Sequence, residues 1–197
     1  MAIVFPAPPS LNEQFLGRRL AQIAISPLSG AKGEIAGVAV DKLAYTAPHQ
    51  NWYSTLDSVV AGRLLADAAP KSWRYLLCEG DVGIGEIEVA SNDQDPSTPF
   101  VALHEGSAAQ LFIEALSFAE SLPEVINQNF EARFLRIPAV GFSAVWLHRD
   151  GQELIVPVTG GGDVLSTRHL YTEPEVTQAL LPRAREAREA PGARPGG

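Results

Sequence analysis

Cysteine is nearly absent from this 197-residue chain: Cys78 stands alone, which excludes an internal disulfide framework and fits a reducing compartment. No uncharged apolar run approaches the roughly 18 residues that a membrane-spanning helix needs, so insertion into a bilayer is not expected. The opening MAIVFPAPPS has neither a basic n-region nor a small-residue cleavage site, so no secretory signal is read and the expected location is cytoplasmic. Positive charge is scarce too, with 15 Lys and Arg against 23 Asp and Glu; a net charge of −8 repels a phosphate backbone, and no nucleic-acid partner is expected. His49, His104, His148 and His169 are far apart, and with one cysteine no metal-ligand spacing occurs, so no metal and no cofactor are expected.

What is present is the balance of a globular domain, 46% apolar and 19% charged. Three helix starts share one chemistry, a Ser followed three residues later by a side chain able to reach back: Ser10 with Glu13, Ser54 with Asp57, and Ser107 with Gln110. Apolar residues at helical spacing follow each, up to Pro27 in the first and Pro70 in the second, while the third is apolar over most of its circumference. Between them WRYLLCEGDVGIGEIEV reads as two strands joined at Gly80-Asp81, with FVAL and FEARFLRI as further strands and GEIAGVAV as a weaker candidate. Gly83 and Gly85 mark a bulge, because the apolar alternation changes phase between Ile84 and Ile87.

The stretch RIPAVGFSAVWLHRDGQELIVPV predicts a second hairpin with a type I′ turn at Asp150-Gly151. That turn pairs Leu147 with Leu154, Trp146 with Ile155, Val145 with Val156 and His148 with Glu153, leaving the charged cluster at a solvated tip. Apolar residues on both faces of positions 140–147 imply a strand covered on both sides, and Pro157 places its partner at a sheet edge. The expected fold class is α+β: one domain with a mainly antiparallel sheet built from two hairpin-containing strand clusters and about three amphipathic helices packed on it. The division is 1–9 as an extended Pro-rich arm, 10–181 as the domain, and 182–197 as a flexible polar tail, Pro182 interrupting the helix that begins near Glu175. Both ends are expected outside the core.

Catalytic motifs are argued down rather than found. GDVGIGEIE lacks the third glycine that opens a helix in a dinucleotide fingerprint, and TGGGD, 159–163, lacks the Lys-Ser/Thr of a phosphate loop and reads as a flexible connector. Cys78, inside YLLC, reads as a buried small hydrophobe. The one junction with ligand-binding character is LHEGSAAQ, where a strand ends at His104, turns through Glu105 and Gly106, and enters a helix at Ser107. His49–Ser54 reads as a polar loop carrying Trp52 and Tyr53, candidates for a protein contact. No catalytic residue is assigned. The preferred reading is therefore a non-catalytic soluble protein acting through protein–protein contacts, with a homo-oligomer allowed. The alternative is a small enzyme or anion- or small-ligand-binding domain using residues 104–107.

Overall fold

The computed structural model describes residues 3–8, 16, 34–90 and 100–189. Ten strands and three helices lie within them: β1 (Ile3–Val4), β2 (Glu34–Ile35), β3 (Val38–Ala39), β4 (Ala44–Tyr53), α1 (Leu56–Val60), β5 (Ala69–Glu79), β6 (Val82–Ala90), β7 (Phe100–Glu105), α2 (Ala108–Glu120), β8 (Phe130–Ile137), β9 (Phe142–Arg149), β10 (Gln152–Thr159) and α3 (Glu173–Glu189). Ser10 and Glu13 of the first expected helix lie outside the described residues, although Leu16 is helical and fully buried. The chain divides into two compact units, the first made of Met1–Val4, Gln50–Lys71 and Glu114–Gly197, the second of Phe5–His49 and Ser72–Ile113.

In the first unit the strand order is β10-β9-β8-β4, with β1 also beside β8. Both β1 and β4 run parallel to β8, whereas β8, β9 and β10 are antiparallel neighbours. The large sheet is therefore mixed, not purely antiparallel, although the pairs β5–β6, β6–β7, β8–β9 and β9–β10 are antiparallel as expected. The parallel pairs come from segments whose sequence hides them. β1 is two residues ahead of a Pro-rich stretch, yet Ile3 is 1% exposed, so this one residue of the N-terminal arm is part of the core. β4 carries Pro48 and a left-handed Ala47, and replaces the expected loop at 49–53.

The β9–β10 hairpin has the expected register, Leu147 opposite Leu154, Trp146 opposite Ile155, Val145 opposite Val156 and His148 opposite Glu153. Gly151 has φ +78°, but Asp150 is not left-handed, so the turn is not type I′. Phe142 to Leu147 are all buried, and β10 is the last strand in the order. Backbone hydrogen bonds between Ile155 and Tyr171 occupy part of that open edge. On one face Leu135, Ile137, Phe142, Ala144, Trp146 and Ile155 form a core with Val59 of α1 and with Val176, Leu180 and Ala184 of α3. The last three recur every four residues, one stripe of a helix, and they carry α3 through Pro182 to Glu189. The expected stop at Pro182 is thereby corrected: about 3 kcal/mol of proline penalty is outweighed by packing on both sides of it. Residues 190–197 lie outside the described residues.

Arg183 adds a second anchor just past the proline, donating to the backbone carbonyl of Gly160 and, at 2.6 Å, to that of Val140. With φ +75° at Gly160 and the backbone of Gly141 directly against it, TGGGD is a packed corner, not a flexible connector. α1 stops at Val60, well short of the expected Pro70, because Gly62 turns left-handed at φ +70°.

In the second unit the order is β4-β5-β6-β7, and β2-β3 form a separate pair. GEIAGVAV is thus a miniature hairpin of its own, turning at Ala36 and Gly37, both at positive φ. Trp73, Tyr75, Leu77, Ile87 and Val89 make this unit's apolar core with Leu16 and Ile35. That core uses only one face of β5 and β6.

Candidate functional site

The other face of β5 and β6 carries charge, and a single extra residue puts it there. From the Gly80-Asp81 turn the pairing runs Glu79 with Val82 and Cys78 with Gly83, then slips so that Leu77 meets Gly85 and Ile84 is left over. Without the slip, Glu86 and Glu88 would sit opposite Tyr75 and Trp73, on the apolar core face. With it, Arg74 is opposite Glu88 and Leu76 opposite Glu86, so both acids share the face of Arg74. The expected bulge is therefore present, and it decides which side of the sheet is polar.

The network on this face is compact. Arg74 forms an ion pair with Glu86, and the two side chains are 2% and 8% exposed. Ser72 donates its hydroxyl hydrogen bond to Glu88 Oε1 at 2.5 Å. Glu88 Oε2 lies 3.9 Å from His104 Nε2 on β7. His49, fully buried on β4, stacks on Phe112 of α2 with ring centroids 4.3 Å apart and 14° between planes, and Arg74 lies 5.1 Å from the same ring. The His49 Nδ1–H donates to Ala47 O at 2.5 Å. Burial, with the Arg74 charge second, drives the His49 imidazole down from 6.5 to about 3, so it is neutral under ordinary conditions. Exposure rises across this face: Glu88 is 11% exposed and His104 48%.

The same bulge seats the start of α2. A Cβ on Gly83 would come within 2.9 Å of the Gln110 backbone nitrogen and 2.8 Å of Ile113 Cδ1, and one on Gly85 within 2.7 Å of His104 O. Only glycine lets the strand approach the helix this closely. Gly83 N donates to Gln110 Oε1 at 3.0 Å, and Gly106 N to the carbonyl of the extra residue, Ile84, at 3.1 Å.

His104, Glu105, Gly106 and Ser107 thus form the junction between β7 and α2, all exposed, with Ser107 immediately before the helix. What His104 faces is not Ser107, its sequence neighbour, but the Glu88–Ser72 pair. Arg74, Glu86, Glu88, Ser72 and His49 are the residues that motif reading misses. The available signal was Ser72-x-Arg74 and Glu86-x-Glu88, alternate polar positions inside apolar strands, interpretable only once the slip at Ile84 is allowed for.

Trp52 and Tyr53 occupy the end of β4 and are half-buried. Trp52 meets Trp146 edge-on at 5.2 Å, and Arg133 lies over both indoles at 4.5 and 4.6 Å while its Nε donates to Glu131 at 2.7 Å. Tyr53 accepts from Arg136 Nη1 at 3.2 Å. His148 pairs with Glu153 at 2.7 Å, and the same carboxylate accepts from Trp146 Nε1 at 2.5 Å, so this pair is half-buried against the tryptophan rather than at a solvated tip. Burial pushes the Cys78 thiol up, away from nucleophilic form. Among the described residues no group of three or more His, Cys, Asp or Glu is placed to hold a metal ion, and no helix is long and apolar enough to cross a membrane. No family model matches the chain, and neither a curated protein nor a solved structure matches it.

Proposed function

We propose that this protein binds a small polar molecule on the charged face of its second unit, entering past His104. The observation that carries the reading is the placement of Arg74, Glu86 and Glu88, nearly buried, on the same sheet face as the half-exposed imidazole of His104. Folding alone gives no reason to keep such a face: replacing a buried ion pair by well-packed apolar residues is often neutral or stabilising by about 1–4 kcal/mol. Charged groups kept at that cost, beside a half-exposed histidine, make this face the candidate functional site.

The site supplies recognition and acid–base groups but no evident nucleophile. Ser72 is committed to Glu88, and Cys78 is held as a thiol. The reading preferred from sequence, a non-catalytic protein acting through protein contacts, stands second, because its candidates Trp52 and Tyr53 are half-buried. The large apolar side chains exposed among the described residues, such as Val82, Ile126 and Val164, are scattered along the chain.

A thermal-shift screen of a small-molecule library, repeated on His104→Ala and Glu88→Gln, tests the proposal. Compounds that stabilise the parent and lose their effect in both variants are expected. Stabilisation that survives both substitutions, or no stabilising compound at all, removes the site from consideration.

A further inference from the structure

Independently of any ligand, we infer that the first half of β4, residues 44–48, is a latched strap, a segment held in one of two positions by the hydrogen bond from His49 to Ala47. Two aromatic contacts carry this. Residues 45 and 49 are four apart, so in a regular strand their side chains share a face. They do not share one here. Tyr45 meets Tyr75 edge-on with ring centroids 6.3 Å apart, and Tyr75 belongs to the apolar core of the second unit with Trp73 and Leu77. His49 instead stacks on Phe112, the ring that lies 5.1 Å from Arg74 on the charged face. Between the two, Ala47 has φ +51°, and that left-handed residue reverses the alternation of the strand in the manner of a bulge.

The local sequence opposes this conformation. An alanine in the left-handed region is strained by its Cβ, and a residue that precedes proline, as Ala47 precedes Pro48, is driven toward extended backbone. Strain of this kind persists only where the surroundings impose it. Here the Nδ1–H of His49 donates to Ala47 O at 2.5 Å, and the imidazole is itself held by Phe112 and by Phe5, whose ring centroid is 6.4 Å away. Upstream of this latch the segment is weakly buried: Ala44, Tyr45 and Thr46 are exposed, Tyr45 at 39%. With Ala47 extended, the alternation is restored, Tyr45 turns to the side of His49, and the Tyr75 ring, 1% exposed in the latched position, is uncovered. The strap is thus a two-position cover over Tyr75, and His49 decides the position.

Hydrogen exchange of the whole chain, read amide by amide by nuclear magnetic resonance, tests this in His49→Phe, Ala47→Gly and the double variant. His49→Phe keeps a ring against Phe112 and removes the latch, so the amides of residues 44–47 should exchange at least about tenfold faster than in the parent. The Ala47 Cα shift should move toward its extended value, and Tyr45 should lose its nuclear Overhauser contact with Tyr75. Glycine is left-handed without strain, so adding Ala47→Gly to His49→Phe should return exchange to within about threefold of the parent and restore that contact. Ala47→Val, with His49 in place, should free the same amides, because a β-branched residue is all but excluded from the left-handed region. Unchanged exchange at 44–47 in His49→Phe, or protection kept in Ala47→Val, overturns the latch. Fast exchange that Ala47→Gly does not suppress overturns it too, since strain then plays no part, and fast exchange spread evenly over β5 and β6 overturns the strap, since the unit then opens as a whole.

Discussion

Trp146 and His148 are two positions apart on one face of β9, and Glu153 touches both, yet their energetic weights differ widely. The indole is 3% exposed within the first unit's core, edge-on to Trp52 and beneath Arg133, so emptying its place leaves a cavity and strips a partner from three neighbours. Trp146→Ala should cost about 3–5 kcal/mol in chemical denaturation. The imidazole is 28% exposed and its contact with Glu153 is open to water, so His148→Ala should cost about 1 kcal/mol or less. Equal losses would mean that the hairpin register is not what organises this face. The register was legible because three consecutive apolar pairs and a glycine turn agree with one another. The participation of Glu153 with Trp146 was not, since no pairing rule predicts a carboxylate turning toward a neighbour two residues along.

At the scale of elements, the misread segments share a cause: a local signal was overruled by a distant partner. The Ser54-Asp57 pair looked like a capping box, but the Ser54 amide is taken by Arg136 O of β8, and the cap falls one residue later, where Thr55 accepts from Ser58 N at 3.1 Å. Thr55→Ala should therefore cost about 1 kcal/mol. Ser54→Ala should be neutral or stabilising, because its buried hydroxyl has no hydrogen-bond partner among the described residues. Denaturation midpoints that rank the two the other way would restore the box. Pro182 misled in the same manner, its local stop overcome by the stripe of Val176, Leu180 and Ala184, and β4 was hidden by Pro48 and by pairing with β8, far along the chain. The bulge at Ile84 was legible, but its consequence was not, since the phase change matters only when the opposite strand is known. Gly83→Ala tests that element directly: its Cβ meets the α2 backbone, so the variant should lose several-fold more stability than Gly151→Ala, where the added carbon meets nothing and only the positive φ, about 1 kcal/mol, is penalised. Similar losses in the two would show that the helix can move away from the strand freely.

For the whole molecule, His49 links the buried face to the pH of the surroundings. Its folded value, about 3, lies far below the 6.5 of the unfolded chain, so on acidification the unfolded state takes up the proton first. The contribution of a neutral His49 is complete above about pH 6.5 and is lost as pH falls from there toward 3, at a slope of up to about 1.4 kcal/mol per pH unit. Most carboxylates begin to titrate only below about pH 5, so the interval from 6.5 to 5 reports on histidines, and the difference between the parent and a His49 variant assigns the part that belongs to His49. His49→Phe keeps an aromatic ring against Phe112 and removes the titration. Urea midpoints measured between pH 7.5 and 5 should fall for the parent and stay level for the variant, whatever the variant's stability at neutral pH. Because the same imidazole stacks on the ring that lies beside Arg74, acid unfolding should begin on the charged face. Ligand affinity would then decline over the interval in which the parent loses stability, and the His49→Phe protein should keep binding its ligand to lower pH. Parallel slopes for the two proteins would mean that His49 is either reached by water or protonated inside the fold, and the coupling of acid stability to the proposed site would be lost with it.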